Sequence, residues 1–135
     1  MTQKIIKELN FLKKVDEVRL NLFNAVLDKM SIAVVDAETG EIYLTSIFFS
    51  DIFEYDADEL IGQNVDILIP ERLREKHTQH RKEFFKDLKQ RMIGREGYKL
   101  IGLTKNKNEF RLNLGLTPVI FDNISCVVAI IYKGE

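Results

Sequence analysis

Two histidines three residues apart, His77 and His80, are the side chains of this sequence with the most chemistry to offer. His77 follows Pro70, whose missing N–H suits the first turn of a helix, and on that helix it shares one face with Leu73, Phe84 and Leu88. A neutral imidazole on an apolar helix face can bind a metal through one ring nitrogen while the other bonds a carbonyl or water. It can equally well pack and bond locally. His80 falls at the boundary of the same face, and a pair of histidines is short of the ligands that a zinc site needs. Glu83 and Asp87 read as solvated positions. The groups of catalysis are missing: there is no glycine-rich phosphate loop, no Gly-x-Ser-x-Gly elbow and no nucleophile flanked by a base. Gly94-Arg95-Glu96-Gly97 precedes a strand pattern and reads as a turn, so the chain is read as no enzyme.

The elements that must hold His77 follow from the pattern along the chain. Its 135 residues suit one domain with a single modest core. The balance of 20 Lys+Arg against 21 Asp+Glu gives a net charge of −1, so no global field favours nucleic acid or an anionic membrane. The lone Cys126 rules out an intrachain disulfide framework, and the start Met1-Thr2-Gln3-Lys4 is no signal peptide, which together predict a cytoplasmic protein.

Residues 1–30 contain neither proline nor glycine and carry Ile5, Leu9, Leu12, Val15, Leu22 and Val26 at spacings of mostly three and four, which predicts an amphipathic helix. Strands follow over 31–36 and 41–46, joined by a turn at Gly40. Short helices are expected over 47–54 and 57–62, the second ended by Gly62, and a longer helix over 70–90. Strands over 96–104, 109–119 and 124–133 complete a sheet, with turns at Lys105-Asn106-Lys107-Asn108 and Phe121-Asp122-Asn123. The last strand is nearly continuous in apolar and β-branched residues and belongs in the middle.

The run Phe49-Ser50-Asp51-Ile52-Phe53-Glu54-Tyr55 through Leu60-Ile61-Gly62 to His77 resembles the central part of a PAS domain, the small sensory fold of bacterial signalling proteins. The hairpin Ser31–Asp36 with Thr39–Leu44, and the turn from Gly102 to Phe110, are similar to the flanking PAS motifs, so the resemblance spans residues 31–133. Three positions depart from the family pattern: Ser46 stands for the usual asparagine, Glu54 for the usual glycine before Tyr55, and Asn106-Lys107 for the usual Asp-Gly. The resemblance implies an α+β PAS fold: a five-stranded antiparallel sheet, short helices and one longer helix on one face, and the N-terminal helix added to it. It divides the chain into a helix at 1–30 for dimerisation or capping and a PAS domain at 31–133.

The stretch Leu68–His77 is similar to the helix bearing the proximal haem histidine of oxygen-sensing PAS domains. That likeness implies haem b with His77 as its metal ligand, Tyr98 on the distal side where those sensors place an arginine, and a lining of Leu73, Phe84, Ile67, Leu114, Leu116 and Val128. The alternative is an interior that holds an unknown small molecule or is filled by its own side chains, leaving a module for homo- or hetero-dimerisation. Flavin photochemistry is not expected, because Val65 stands where the reactive thiol of that branch would be. The N-terminal helix either folds back on its own sheet or pairs with its copy, and the homodimer is favoured because an exposed apolar stripe marks an interface. A signalling partner or an attached output domain is implied. Beyond Ile131-Tyr132-Lys133-Gly134-Glu135, a single-domain protein and a domain followed by an output both stay open.

Overall fold

A computed structural model describes residues 2–56, 58–88, 91–93 and 100–133. Helix α1 (Gln3–Lys29) leads into strands β1 (Ile32–Asp36) and β2 (Ile42–Thr45). After the short helix α2 (Ile47–Ile52) come two 3₁₀ turns, Val65–Leu68 and Glu71–Leu73, then α3 (Arg74–Lys86). Strands β3 (Arg91–Ile93), β4 (Leu100–Leu103), β5 (Glu109–Phe121) and β6 (Ile124–Lys133) complete the chain.

The sheet is antiparallel and five lanes wide, in the order β2-β1-β6-β5 with β3 and β4 sharing the last lane. Leu114–Leu116 of β5 pair with β3, and Glu109–Leu112 pair with β4. The predicted strand over 96–104 is therefore described only from Leu100, and a further short strand precedes it on the same edge. The apolar β6 is central, between β1 and β5, as its composition requires. Its hairpin with β5 turns through Asp122 (φ 46°) and Asn123 (φ 65°), the two positive φ values that let a two-residue turn follow the strand twist.

Two predicted helices differ from expectation. Residues 58–62 form turns, not a helix; the chain turns through Gly62 at φ +83°, and the Asn64 side chain then accepts from the Asp66 N–H at 2.9 Å to start the 3₁₀ turn Val65–Leu68. The predicted helix over 70–90 begins as a 3₁₀ turn with Pro70 at its cap, one position outside the helix, and ends at Lys86, where Asp87 leaves the helical region at φ −140° and ψ 77°.

Side chains alternate across the sheet, so one face carries Ala33, Val35, Ile42 and Leu112 into a core with Phe49, Phe53, Leu60 and Leu68. Phe53 is at the centre of that core, 5.0 Å from the Phe49 ring and 5.2 Å from the Phe110 ring. The packing is tight enough that a Cβ at Gly102 would lie 2.8 Å from Phe110 and 3.0 Å from Leu112. A second, smaller cluster forms where Phe84, Phe85 and Leu88 at the end of α3 meet Ala37, Val127 and Leu116.

Candidate functional site

His77 stands at a polar seam where α3 crosses the 3₁₀ turn Val65–Leu68. Its Nδ1 is 2.8 Å from Asp66 Oδ1, and its side chain is about a quarter exposed, at 24%. The Thr78 hydroxyl donates to Asp66 Oδ2 at 3.4 Å, and the Arg81 guanidinium approaches that oxygen at 3.8 Å. Residues 77, 78 and 81 reach one carboxylate because 81 lies about one turn beyond 77 and 78 on α3. Arg74 ties the same crossing to the backbone, its Nε donating at 3.0 Å to the carbonyls of Asp66 and Ile69.

The seam continues to the β1–β2 turn. Arg81 Nη1 donates to the Glu38 carbonyl at 2.6 Å, and the guanidinium lies across Gly40, whose added Cβ would come within 3.1 Å of Arg81 Cζ and Nε. Gly40 is thus required twice, for its φ of +81° and for the close approach of Arg81. Asn64 Nδ2 donates to the Thr39 carbonyl at 3.0 Å. Within the turn, Asp36 Oδ1 accepts from the N–H groups of Glu38 and Thr39 at 2.8 and 2.9 Å, and Oδ2 from the Tyr43 hydroxyl at 2.7 Å. Burial pushes the Asp36 carboxyl up, but the Thr39 N–H, the Tyr43 hydroxyl and the Glu38 N–H together hold it below its ordinary value. The hydrogen bond to Asp36, aided by desolvation and the neighbouring negative charge, pushes Tyr43 up to about 12.

The other end of the domain is closed by the β4–β5 turn. Lys105 donates through its backbone to the Phe53 carbonyl at 2.9 Å and through its Nζ to Glu59 at 2.6 Å. Glu54 accepts from Asn106 Nδ2 at 3.2 Å, and bonds from Thr104, Asn106 and Asn108 hold its carboxyl below the usual range. Arg72 and Glu109 form a two-bond fork at 2.5 and 2.7 Å that lowers Glu109.

The residues expected to line one pocket are distributed over several places. Ile67 and Leu114 pack against the larger core, and Leu73 is half-buried in the turn before α3. Phe84 and Leu116 belong to the smaller cluster. Val128 pairs with Val34 and Thr117 and, by strand alternation, faces the opposite side of the sheet from Val127 and Ile131. Tyr98 lies outside the described residues. No group of three or more His, Cys, Asp and Glu side chains able to hold a metal ion is found among the described residues. Asp66 and Arg81, which sequence reasoning did not single out, are the groups that fix His77 and the adjoining turn. A pairing across eleven residues between a turn and a helix leaves no periodic signal in the sequence.

A second surface stands out. Along α1 the apolar side chains face water: Ile5 is 43% exposed, Leu9 55%, Leu12 57% and Leu22 64%. An open groove on this helix is lined by Lys4, Lys7, Glu8, Phe11 and Leu12. No helix among the described residues is long and apolar enough to cross a membrane.

No protein-family model and no curated protein sequence matches the chain. Solved structures do. A PAS domain of an HTR-like protein from Haloarcula marismortui has a TM-score of 0.71 at 17% identity, over 91% of this chain and 97% of that one. A PAS domain from a two-component sensor histidine kinase has a TM-score of 0.68 at 9% identity, over 87% and 97% of the two chains. A LOV protein of Rhodobacter sphaeroides has a TM-score of 0.66 at 16% identity, over 86% of this chain and 66% of that one. The likeness extends over nearly the whole of both PAS domains, and identities this low show a shared fold: the chain has the PAS fold.

Proposed function

We propose that this PAS-fold chain is a signal-relay module that works by self-association through α1, its compact domain biasing how two copies pair. The observation that carries this reading is the row of apolar side chains from Ile5 to Leu22, exposed by 43% to 66% on a helix that a solvated face does not account for. The interior supports it, because the core beside α2 is occupied by the ring of Phe53 packed between those of Phe49 and Phe110. A signal acts on such a module only by binding one arrangement better than another, whether the signal is a partner protein, an attached output domain or a small molecule. The likeness in fold to a sensor kinase's PAS domain supports a role in signal transduction, and the buried thiol of Cys126 suits a reducing cytoplasm. Light scattering tests it: the full chain runs as a dimer, and L9E with L12E gives monomers of unchanged circular dichroism. A dimer that survives both substitutions rejects the role of α1.

A second reading, a small-ligand sensor with haem b on His77, is favoured by one observation. The Nδ1 contact with Asp66 is the kind of outer bond that orients a metal-binding imidazole through its other nitrogen. The donor therefore fits, while the expected lining is divided between two clusters and two sheet faces and does not converge on it. Absorption of protein from haem-supplemented cells distinguishes the two readings. A Soret band that shifts with dithionite and vanishes in H77A establishes the second; a flat baseline beyond the aromatic band removes it.

A further inference from the structure

The exposed stripe of α1 contains a charge pattern that fixes how a second copy must lie on it, an inference that rests on α1 being the dimer contact. Ile5, Leu9 and Leu12 begin an alternation of four and three that continues through Asp16 and Arg19 to positions 23 and 26, where the sequence has phenylalanine and valine, close to the end of the helix at Lys29. This is the seven-residue repeat of a coiled-coil seam. Ile5, Leu9 and Leu12 are roughly half exposed, at 43%, 55% and 57%. The two charged members, Asp16 and Arg19, have side chains 76% and 77% exposed, joined within the helix by a contact of only 3.9 Å. They are adjacent on the seam, opposite in sign, and at its middle.

In a parallel pair in register, each seam residue meets its own copy. Asp16 then faces Asp16 and Arg19 faces Arg19, two successive layers of like charge in the least solvated part of the contact. An antiparallel pair with its two-fold axis between residues 17 and 18 sets Asp16 against Arg19 of the second copy, and Arg19 against its Asp16. The same axis matches Leu12 with position 23 and Leu9 with position 26, so the layers on either side of the charged pair are apolar in sequence, and Ile5 falls opposite the end of the helix. Flanking charges do not decide the matter: Glu8 meets Lys29 in the antiparallel pair and Lys13 in the parallel one. The seam does. We propose that α1 binds α1 of a second copy antiparallel, with two reciprocal Asp16–Arg19 ion pairs at the centre selecting both direction and register. The polar interruption of the stripe is then its specificity device, and the two PAS domains lie at opposite ends of the contact, about 35 Å apart along the helix axis at 1.5 Å per residue.

The test uses the full chain with nitroxide labels at K7C in a C126S background, read by pulsed dipolar spectroscopy beside light scattering. The antiparallel pair gives a distance above about 30 Å, from the axial rise between the two labels, whereas a parallel pair gives about 20 Å or less. R19D, which brings a carboxylate against Asp16 of the copy, raises the dimer Kd at least about tenfold, and the swap D16R with R19D restores it. A dimer with a short label distance, or one indifferent to R19D, overturns the antiparallel arrangement and leaves self-association standing. A chain monomeric at every concentration overturns both.

Discussion

The two halves of this molecule use the same residue types to opposite ends. In the domain, Ile42 and Leu60 are wholly buried and Phe49 and Phe53 nearly so, at 3% each. On α1, Leu9, Leu12 and Leu22 stand more than half exposed, with Phe11 at 66%. The domain closes its core with its own side chains; the helix leaves a comparable apolar row open. Stability therefore resides in the first region, and the association proposed for this chain draws on the second. The sharpest way to break this division is to truncate one leucine in each. Leu60→Ala removes a fully buried side chain from the main core and is expected to cost about 2–5 kcal/mol in chemical denaturation. Leu12→Ala, measured at a concentration where the chain is monomeric, is expected to fall within about 0.5 kcal/mol of the parent, as exposed substitutions do. If both cost the same, α1 is packed on its own domain and the division fails.

Ser46 is the joint between the two regions and gives the next largest effect. Its hydroxyl donates to the Met30 carbonyl at 2.6 Å just beyond α1, and accepts from the Ile32 N–H at 2.9 Å and the Phe49 N–H at 3.3 Å as the cap of α2. Only 4% of the residue is exposed, so Ser46→Ala leaves buried groups without their partner and is expected to cost about 1–2 kcal/mol. Hydrogen exchange at Ile32 and Phe49 checks the site: faster exchange at both locates the loss in the joint, and unchanged exchange shows that the cap is dispensable.

How much of this was legible depended on the range of the signal. The long helix, the two hairpins and the central place of β6 followed from periodicity and turn residues, which are local. The three departures from the PAS pattern were legible too, and each proved to mark a stressed or linking position: Ser46 as the joint, Glu54 at φ 64° and Lys107 at φ 70° where the pattern has glycine. Less legible were the features set by tertiary contact. The division of the fifth lane into β3 and β4 depends on pairing with β5, and the partnership of His77 with Asp66 depends on a helix crossing a 3₁₀ turn. The stripe expected to join Leu73, His77 and Phe84 on one helix begins in the 3₁₀ turn, with Leu73, and runs along α3 from the polar seam at His77 to the smaller cluster at Phe84. Its members therefore do not share a pocket.

Glu54 and Lys107 sharpen the comparison inside the domain. A non-glycine residue in the left-handed region costs about 1–2 kcal/mol. Lys107→Gly relieves that strain at an exposed turn and is expected to raise stability by about 0.5–1 kcal/mol, after the added freedom of the unfolded chain is subtracted. Glu54→Gly relieves the same strain but removes the carboxylate that holds Thr104, Asn106 and Asn108, so its gain is expected to be smaller than that of Lys107→Gly. An equal or larger gain in thermal denaturation shows that Glu54 does nothing to hold the turn.

The smallest effect lies in the Asp36–Tyr43 pair, and its sign can be worked out. The folded pKa of Tyr43 is raised from 10.0 to about 12, chiefly by its hydrogen bond to Asp36, so the folded state holds this proton more tightly than the unfolded chain does. The resulting stabilisation is whole below pH 10 and is lost progressively as pH rises from 10 toward 12. It rests on one bond at a partly exposed edge of β2, opposite the larger core, so losing it should loosen the β1–β2 turn without unfolding the domain. Phenolate absorbance of the full chain is therefore expected to show a late step near pH 12 that is missing in Tyr43→Phe. Asp36→Asn supplies the control: it keeps a hydrogen-bond acceptor but removes the charge, and the late step is expected to move down. A step that persists in Tyr43→Phe belongs to another tyrosine and removes the pair from the account.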